Sequence, residues 1–249
     1  MKALVTGASS GIGRDMAKHL SSLGYDIIAV ARDGEALNKL KEELQTKTET
    51  ISIDLKEEGA CKHLYETLKN RKIDIVINNA GFGDFGEFIE TDLEKELDMI
   101  DVNIKAVHIL TKLFLKDMVK RNSGHILNVA SIAGFMPGPL MATYYSTKAY
   151  IVRLTQSINT ELKKDKSNVK ISVLCPGPVN TNFNKAANVK FNLKGLSSEY
   201  VAKYAINNML KGKLIIIPGS LIKIARFLAK ISPEKLVARI CMKMQERKR

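Results

Sequence analysis

Two tyrosines and a lysine lie close enough in the sequence to form a catalytic acid or base. They belong to the stretch Tyr144-Tyr145-Ser146-Thr147-Lys148, in a segment with helical periodicity. Residues three and four apart share a helix face, so Lys148 can approach the phenol of Tyr144 or of Tyr145. A free tyrosine has a pKa of about 10, and a nearby cation favours the phenolate. We therefore expect Lys148 to move the pKa of one tyrosine toward neutrality, and helix geometry leaves open which one.

A glycine-rich turn near the start of the chain has the features of a diphosphate site. Residues 2–6 form an apolar run that predicts a buried strand, and Arg14–Leu23 has the pattern of a helix. Between them lies Thr6-Gly7-Ala8-Ser9-Ser10-Gly11-Ile12-Gly13, whose glycines let the backbone approach an anion at the helix N-terminus. The spacing G-x-x-x-G-x-G differs from the G-x-G-x-x-G of many dinucleotide folds. The alternative is a tight turn that needs glycine only for its geometry.

The end of the second predicted strand indicates which nucleotide is bound. The strand Asp26–Ala31 is followed by Arg32 and then by Asp33. In dinucleotide folds an acidic residue here takes the ribose 2′-hydroxyl, whereas an arginine accommodates a 2′-phosphate. A permanently charged guanidinium suits phosphate, and Arg14 could add a second positive charge. We predict NADP(H) rather than NAD, with a solvated helix start at Arg32 and Asp33 as the alternative.

The remaining predicted elements must position these residues. Further strands are predicted at Glu49–Ile53, Ile73–Ile77, His125–Ala130, Val169–Cys175 and Leu214–Ile217. Helices are predicted at Glu35–Gln45, Glu57–Asn70, Glu94–Arg121 (with a break near 98–103), Tyr144–Lys164 and Ser197–Leu210, the last with a capping serine. This alternation predicts a single α/β Rossmann-type domain, a doubly wound parallel sheet of about seven strands with helices on both faces and a C-terminal helical extension.

Polar residues and glycines follow four of the predicted strands. These positions are Gly7, Arg32, Asp54 and Asn78. Ligands of parallel sheets bind beyond the carboxyl ends of the strands, so we expect these residues at one binding edge. The polar stretch 179–196 is predicted to be a mobile flap over the same edge.

Length, charge and cysteine content are typical of a compact cytoplasmic enzyme. The 249 residues can hold one large α/β domain. Of the net charge of +13, residues 220–249 carry +7, so a general nucleic-acid surface is not indicated. Three cysteines suit a reducing compartment, and four scattered histidines show no metal-ligand spacing. Met1 leads directly into the first strand, without a signal segment. We predict no bound metal and no nucleic-acid partner.

Ordered motifs over residues 1–219 resemble the short-chain dehydrogenase/reductase family, in particular a subgroup of NADP-preferring bacterial carbonyl reductases. The motifs are Thr6-Gly7-x-x-x-Gly11-Ile12-Gly13, Asn78-Asn79-Ala80-Gly81, Asn103, Ser131, Tyr144-x-x-x-Lys148 and Pro176-Gly177. The resemblance implies that Tyr144 and not Tyr145 is the catalytic tyrosine, because Tyr144 stands thirteen residues after Ser131.

The resemblance also implies a role for each catalytic residue. Tyr144 would protonate a substrate carbonyl oxygen as hydride arrives. Lys148 would lower the pKa of Tyr144 and bind the nicotinamide ribose, and Ser131 would hydrogen-bond the same oxygen. Asn103 would hold a water molecule that links Lys148 to solvent.

The implied cofactor contacts follow the carboxyl edge of the predicted sheet. The diphosphate would be surrounded by Gly7, Ser9, Gly11, Ile12 and Gly13. Asp54 would contact the adenine and Asn79 the adjoining ribose. The nicotinamide carboxamide would meet Pro176, Gly177, Val179 and Thr181. Further expected cofactor contacts are Ser10, Arg14, Leu55, Ala80 and Gly81.

Apolar residues in the loops after the fourth, fifth and sixth strands suggest the substrate class. They are Phe82, Phe85, Phe135, Met136, Leu140, Met141 and Phe183. An apolar pocket predicts a hydrophobic ketone or ketoester, and simple packing of these side chains is the alternative. Two other functions stay open: a membrane-associated 3-ketoacyl or ketosteroid reductase, and a non-catalytic NADP-sensing protein.

Residues 220–249 form a basic extension of the catalytic domain at residues 1–219. One helix is predicted at Leu221–Ile231, with Leu221, Ile224, Ala225 and Leu228 on its apolar face. A second helix is predicted at Pro233–Lys248, and its apolar face consists of Val237, Ile240, Cys241 and Met244. Such helices can lie on an anionic membrane or pack on the domain or a second subunit, and we predict packing. A homodimer through Glu94–Arg121 and Tyr144–Lys164 is expected, with a tetramer as the alternative.

Overall fold

The computed structural model describes residues 1–181, 183 and 195–246, which build a parallel sheet with helices on both faces. Its strands are β1 (Lys2–Thr6), β2 (Asp26–Ala31), β3 (Thr48–Ser52), β4 (Ile75–Asn78), β5 (His125–Val129), β6 (Lys170–Leu174), β7 (Val179–Asn180), β8 (Leu196–Ser197) and β9 (Ile215–Ile216). The strands β7 and β8 pair with each other in a small second sheet, and the other seven form the main sheet.

Nine α-helices are described. They are α1 (Gly11–Ser22), α2 (Gly34–Glu43), α3 (Ala60–Leu68), α4 (Leu93–Ile100), α5 (Val107–Lys120), α6 (Ala142–Lys164), α7 (Ser198–Leu210), α8 (Ser220–Ile231) and α9 (Glu234–Glu246). A π-helical segment, Asp101–Ala106, joins α4 to α5, and a 3₁₀ turn, Ile132–Phe135, follows β5. The long helix predicted over 94–121 is thus interrupted close to the predicted break.

The main sheet has the strand order β3-β2-β1-β4-β5-β6-β9, with every neighbouring pair parallel. The order of the strands reverses between β1 and β4, which opens a crevice at their carboxyl ends. The predicted doubly wound parallel sheet is confirmed, and the strand ends differ from the predicted ones by at most two residues.

Alternating side chains of β1 belong to two apolar layers on opposite faces of the sheet. Val5 lies in a buried cluster with Met16 of α1 and residues of α7. Leu4 lies in another cluster, with Leu64 of α3 and Phe114 of α5. Successive side chains of a strand point to opposite faces, so a central strand covered on both sides is apolar throughout. The helices therefore cover both faces and leave the carboxyl ends of the strands as a common edge.

Side-chain caps fix the starts of several helices. The hydroxyl of Ser197 accepts a hydrogen bond from the Tyr200 amide at 3.2 Å, which confirms the predicted capping serine of α7. Asp92 caps α4 in the same way, through the Lys95 amide at 2.8 Å. The predicted flap over 179–196 falls for the most part outside the described residues.

The two C-terminal helices pack unequally on the rest of the chain. In α9 the side chains of Val237, Cys241 and Gln245 are buried, whereas every residue of α8 is at least partly exposed. The predicted packing therefore holds for one side of α9, but the apolar face predicted for α8 does not pack on the domain. Among the described helices, none combines the length and apolar content needed to cross a bilayer. The boundary at residue 219 and the homodimer stay predictions.

Candidate active site

A cavity of about 1330 Å³ runs along the carboxyl edge of the main sheet. The segments after β1 to β6, together with α8 and α9, form its walls. The predicted site residues in these walls are Gly7, Ser9, Ser10, Gly11, Ile12, Arg32, Asp54, Leu55, Asn79, Ala80, Gly81, Ser131, Met136, Met141, Tyr144, Lys148, Pro176, Gly177, Val179, Thr181 and Phe183. The predicted residues that do not line it are Gly13, Arg14, Phe85, Asn103, Phe135 and Leu140.

The turn after β1 needs glycine for two physical reasons. Gly7 and Gly11 have φ angles of +65° and +54°, in the left-handed region that favours glycine. A Cβ on Gly13 would lie 2.3 Å from Asn79 Nδ2, so Gly13 allows the turn to pack against the end of β4. Asn79 Nδ2 donates hydrogen bonds to the carbonyl oxygens of Thr6 at 3.0 Å and Gly7 at 3.2 Å. These contacts hold the turn in one conformation.

The N-terminus of α1 presents its amide groups to the cavity. Ser10, Gly11 and Ile12 line the wall here. Ser10 is the N-cap and makes no side-chain capping hydrogen bond to any described residue, and the first turn, which is fully described, contains no acidic side chain. The first amides of a helix carry partial positive charge. Amides in this position are suited to bind a phosphate or diphosphate.

Arg32 and Asp54 flank the cavity beyond the ends of β2 and β3. The Arg32 side chain is 72% exposed, and its guanidinium lies 3.6 Å from the Asp54 carboxylate. Asp33 accepts a hydrogen bond from the Ala36 amide at 2.9 Å and caps α2. That bond directs the Asp33 carboxylate toward the helix. Arg32 and Asp33 therefore both line the cavity beyond the end of β2, and the Asp33 carboxylate is engaged by the Ala36 amide.

Arg14 does not line the cavity, contrary to the prediction. Its guanidinium forms an ion pair with Glu43 of α2, and Lys18 forms another with the same carboxylate. The hydrogen bond from Lys18, followed by the charges of Arg14 and Lys18, lowers the pKa of Glu43. Arg14 therefore joins α1 to α2, and this placement does not support a second positive charge for a 2′-phosphate.

Ser131, Tyr144 and Lys148 converge on one part of the cavity wall. The Ser131 hydroxyl accepts a hydrogen bond from the Ala133 amide at 3.2 Å and caps the 3₁₀ turn after β5. Tyr144 lies at the start of α6, near enough to the Ser131 side chain for that group to act to lower its pKa. Lys148 Nζ lies 5.7 Å from the centre of the Tyr144 ring and donates to the Val129 carbonyl at 3.1 Å. The structure thus brings three of the four predicted catalytic residues together.

Burial has the largest effect on the pKa values of Tyr144 and Lys148. The side chains of Tyr144 and Lys148 belong to buried residues, 9% and 5% exposed. Burial raises the pKa of Tyr144 to about 12, while the Ser131 side chain acts in the opposite direction. Burial also lowers the pKa of Lys148 to about 8. The prediction that Lys148 moves the Tyr144 pKa toward neutrality is wrong for this arrangement, because desolvating the phenolate outweighs the other effects.

Asn103 lies behind this wall, in the π-helical segment between α4 and α5. It is fully buried, and its side-chain amide donates to the Phe82 carbonyl at 2.9 Å and to Thr147 Oγ1 at 3.1 Å. These bonds connect the loop after β4 with α6. A Cβ on Gly81 would lie 2.7 Å from Asn103 Oδ1 and 3.3 Å from Lys148 Nζ, so Gly81 keeps the space between them open. The water-holding role of Asn103 stays a prediction.

Tyr145, the other tyrosine of the pair, makes a different connection. Its hydroxyl accepts a hydrogen bond at 2.7 Å from Nε2 of Gln245, which is buried in α9. Burial raises the pKa of Tyr145 above its ordinary value. Tyr144 therefore lies with Ser131 and Lys148, whereas Tyr145 attaches α9 to α6. Helix geometry alone left this choice open.

The cavity wall beside Tyr144 is apolar. The Phe183 ring lies with its centre 5.3 Å from that of Tyr144. Phe82, Met136 and Met141, all three predicted as pocket residues, also line the cavity. A substrate carbonyl group next to Tyr144 would therefore be surrounded by apolar side chains, which favours apolar substituents on the substrate.

Two predicted substrate residues support the wall instead of forming it. Phe85 packs against the apolar cluster around Tyr144. Phe135 packs beneath α8, where the guanidinium carbon of Arg226 lies 4.3 Å from its ring centre. The packing alternative is the better description of these two rings, because neither faces the cavity.

The C-terminal helices supply a part of the wall that the sequence did not predict. Their lining residues are Ile222, Ala225, Leu228, Ala229, Ser232, Val237, Ile240, Cys241, Met244 and Gln245. All four residues of the apolar stripe predicted for the second helix are among them. The stripe is a visible signal in the sequence, but it does not show which surface the helix covers.

A family model described as short chain dehydrogenase matches residues 1–191. The matched region contains the glycine turn, Asn103, Ser131, Tyr144 and Lys148, and it ends before α7, α8 and α9.

Individual proteins are similar over most of the chain. An uncharacterized oxidoreductase from Staphylococcus epidermidis is 38% identical over 181 residues, which are 72% of this chain and 78% of that protein. A very-long-chain 3-oxoacyl-CoA reductase from Mycosarcoma maydis is 34% identical over 74% of this chain and 54% of its own length. Among solved structures, a short-chain dehydrogenase from Sphingobium yanoikuyae in complex with NADPH has a TM-score of 0.82 and 26% identity. The structural match covers 94% of this chain and 96% of that protein's chain.

Proposed function

The chain belongs to the short-chain dehydrogenase family of oxidoreductases, and from this premise we propose that it reduces the carbonyl group of a hydrophobic substrate with NADPH. The observation that carries the proposal is the meeting of Ser131, Tyr144 and Lys148 beside an apolar cavity wall. A general acid, a hydrogen-bond donor for the substrate oxygen and a cation are the groups that carbonyl reduction requires.

Tyr144 is the proton donor of this reaction. With a pKa of about 12 its hydroxyl keeps its proton at neutral pH, which is the form that a general acid needs. The Tyr144 hydroxyl would give its proton to the substrate oxygen while the carbonyl carbon accepts the hydride that a bound NADPH would supply. Ser131 hydrogen-bonds the same oxygen and stabilises the negative charge that develops there.

Lys148 stabilises the phenolate that proton transfer leaves on Tyr144. Its pKa of about 8 keeps most of it protonated at neutral pH. A cation 5.7 Å from the ring centre favours the phenolate, and the buried setting weakens solvent screening of that attraction. Above pH 8 Lys148 loses its charge, so this support declines.

The walls near α1 and β2 fit a dinucleotide with a 2′-phosphate. The amides at the N-terminus of α1 would bind the diphosphate. Arg32 would bind the 2′-phosphate, because its guanidinium lines the cavity, while one oxygen of the neighbouring Asp33 carboxylate is bonded to the Ala36 amide. The NADPH complex of the Sphingobium yanoikuyae relative supports this choice of cofactor.

The substrate class follows from the size and lining of the cavity. Its volume of about 1330 Å³ exceeds the roughly 300–1,000 Å³ of a site for one drug-sized ligand, which leaves room for cofactor and substrate together. A hydrophobic ketone or ketoester fits the lining best. A long-chain 3-oxoacyl thioester is the second candidate, because α8 and α9 extend the apolar wall and the Mycosarcoma maydis relative is a 3-oxoacyl-CoA reductase.

Steady-state reduction of aryl ketones, ketoesters, ketosteroids and 3-oxoacyl thioesters with NADPH tests the proposal. Tyr144→Phe should lower kcat by about 10²–10⁴-fold, the contribution of a general acid, and leave NADPH binding nearly unchanged. Tyr145→Phe is the matched control, since it removes the same group one residue away and should keep turnover of small ketones.

Two results would contradict this assignment. Full activity in Tyr144→Phe together with a loss in Tyr145→Phe would show that the other tyrosine is the acid. NADPH binding without turnover of any of the four substrate classes would favour the NADP-sensing alternative.

A further inference from the structure

The helix α8 carries an exposed apolar face. Its members recur three or four residues apart, which places them on one side of the helix. They are Leu221, Ile224, Phe227, Leu228 and Ile231, between 52% and 78% exposed. On the opposite side, Ile222 packs toward the domain and Arg226 stacks on Phe135. Single exposed apolar residues are ordinary in proteins, but a contiguous face of this kind marks an interaction surface.

The helix α9 is organised in three rows, each with a spacing of four residues. The buried row is Val237, Cys241 and Gln245. The half-exposed apolar row is Leu236, Ile240 and Met244. The basic row is Lys235, Arg239 and Lys243. Neighbouring rows are one residue, or about 100°, apart on the helix, so the exposed apolar row lies between the buried and the basic ones.

Three residues belong both to this surface and to the cavity wall. Leu228, Ile240 and Met244 are 52%, 49% and 48% exposed, and all three line the cavity. The apolar lining therefore continues onto the outer surface of α8 and α9. A molecule dissolved in an apolar layer against these helices could reach the cavity without crossing water.

The charge of the two helices indicates which kind of partner can cover the exposed apolar face. Their basic residues are Lys223, Arg226, Lys230, Lys235, Arg239 and Lys243, against the acidic Glu234 and Glu246. None of these eight side chains forms an ion pair with another described residue. A second copy of the chain would bring like charges together, which opposes association. Anionic lipid headgroups would neutralise the exposed lysines and Arg239, whereas Arg226 faces the domain; helices with an apolar face bordered by Lys and Arg bind such surfaces.

We propose that α8 and α9 dock on an anionic lipid surface and that the cavity takes a lipid-borne carbonyl substrate from it. The second part rests on the proposed reductase function, whereas the docking does not. The exposed apolar rows would lie at the boundary of headgroups and acyl chains, and the basic row would lie among the headgroups.

Co-sedimentation of the full chain with vesicles tests the docking. The chain should pellet with vesicles that contain phosphatidylglycerol and remain in solution with phosphatidylcholine alone. Each Lys or Arg near an anionic surface strengthens binding about fivefold, so Lys235→Gln/Arg239→Gln/Lys243→Gln should weaken the partition coefficient about 100-fold. Ile224→Ser/Phe227→Ser should weaken it at least about tenfold through lost apolar burial.

A matched control exists on α5. Lys112, Lys116 and Lys120 are exposed and have the same four-residue spacing as the basic row of α9. Replacing all three with Gln removes the same charge, and vesicle binding should stay close to that of the wild type. Circular dichroism and thermal unfolding of every variant identify any that fail to fold.

Several outcomes would overturn the docking proposal. These are equal binding to neutral vesicles, equal binding of the α9 triple variant and the wild type, and equal weakening by the α5 control. An oligomer that Ile224→Ser/Phe227→Ser converts to a smaller species, without vesicle binding by the wild type, would show that a second copy covers the face instead.

Measurements of ketone reduction distinguish the proposed lipid docking from the proposed catalytic reaction. The substituted residues of α8 and α9 do not line the cavity, so both variants should reduce a water-soluble ketone as the wild type does. Reduction of a long-chain ketone dissolved in phosphatidylglycerol vesicles should fall in proportion to vesicle binding, and an unchanged rate would refute uptake from the lipid. Failure of the wild type on the soluble ketone would count against the proposed function alone, because sedimentation needs no turnover.

Discussion

Replacing Arg32 with alanine should weaken the binding of NADPH and leave that of NADH nearly unchanged. The guanidinium stands at the end of β2 and lines the cavity, with the Asp54 carboxylate 3.6 Å away. Asp33, which could otherwise repel a 2′-phosphate, is bound to the Ala36 amide at 2.9 Å. The two reduced cofactors differ only in the 2′-phosphate, so a group that contacts it affects one and not the other.

The exposure of Arg32 sets the size of the effect. A hydrogen bond to a charged group contributes about 1.5–3 kcal/mol. The side chain is 72% exposed and already close to Asp54, so solvent screening and the competing carboxylate place the value near the lower limit. A loss of about 1.5 kcal/mol corresponds to about a tenfold rise in the Kd of NADPH. The Kd of NADH should change by less than about twofold, as expected for an exposed ion-pair partner.

Fluorescence titration of both reduced cofactors measures these constants. Arg14→Ala is the matched control, because Arg14 is paired with Glu43 and does not line the cavity. It should keep the wild-type ratio of the two Kd values. Equal losses for NADPH and NADH in Arg32→Ala, or a changed ratio in Arg14→Ala alone, would refute the assignment of Arg32 to the 2′-phosphate.

Three other changes have measurable consequences. Gly81→Ala places a methyl group 2.7 Å from Asn103 Oδ1, so kcat for ketone reduction should fall at least about tenfold through misplacement of the catalytic groups; a wild-type kcat would contradict this. Gln245→Ala removes the donor to Tyr145 and should raise the KM of a bulky ketone more than that of a small one, because α9 loses an anchor. Burial lowers the pKa of His125 to about 4, whereas a histidine in an unfolded chain has a pKa of roughly 6.5. The folded state therefore favours neutral His125. The stability that this difference contributes is fully present above about pH 6.5 and is lost as the pH falls through about 4. Urea unfolding of the wild type and His125→Gln between pH 7 and 4 should show a decline that is weaker in the variant, and parallel curves would refute it.

The sheet was predictable because several strands are apolar runs that stop at a polar residue or glycine: β1 is followed by Gly7, β2 by Arg32, and β4 ends in Asn78. β1 is apolar at successive positions since both of its faces are covered, and it stops at the turn that begins with Gly7. The meeting of distant residues in one site was predicted from the order and spacing of motifs, because local secondary-structure propensity carries no such information. Asn103, Ser131 and Lys148 are far apart in sequence, and only their resemblance to a family pattern placed them in one site.

Properties that depend on burial and on partners were not predictable. The pKa of Tyr144 follows from the removal of its ring from water, which the Tyr144–Lys148 spacing does not reveal. Arg14 has the right charge and position in sequence for a phosphate contact, but Glu43 of α2 competes for it. The break in the predicted helix 94–121 was visible, whereas its π-helical form, which buries Asn103, was not.

The proposed catalytic groups and the outer part of the cavity wall lie in different parts of this chain. The family match ends at residue 191 and includes Tyr144 and Lys148, whereas α8 and α9 begin at Ser220 and Glu234. These two helices form the outer cavity wall, and the Gln245–Tyr145 hydrogen bond ties α9 to α6, next to Tyr144. Under the proposed function, a change in α8 or α9 would alter which carbonyl compound reaches Tyr144 and would leave the arrangement of Ser131, Tyr144 and Lys148 in place. The same two helices expose the apolar and basic surface, so the proposed substrate choice and the proposed lipid docking both depend on α8 and α9.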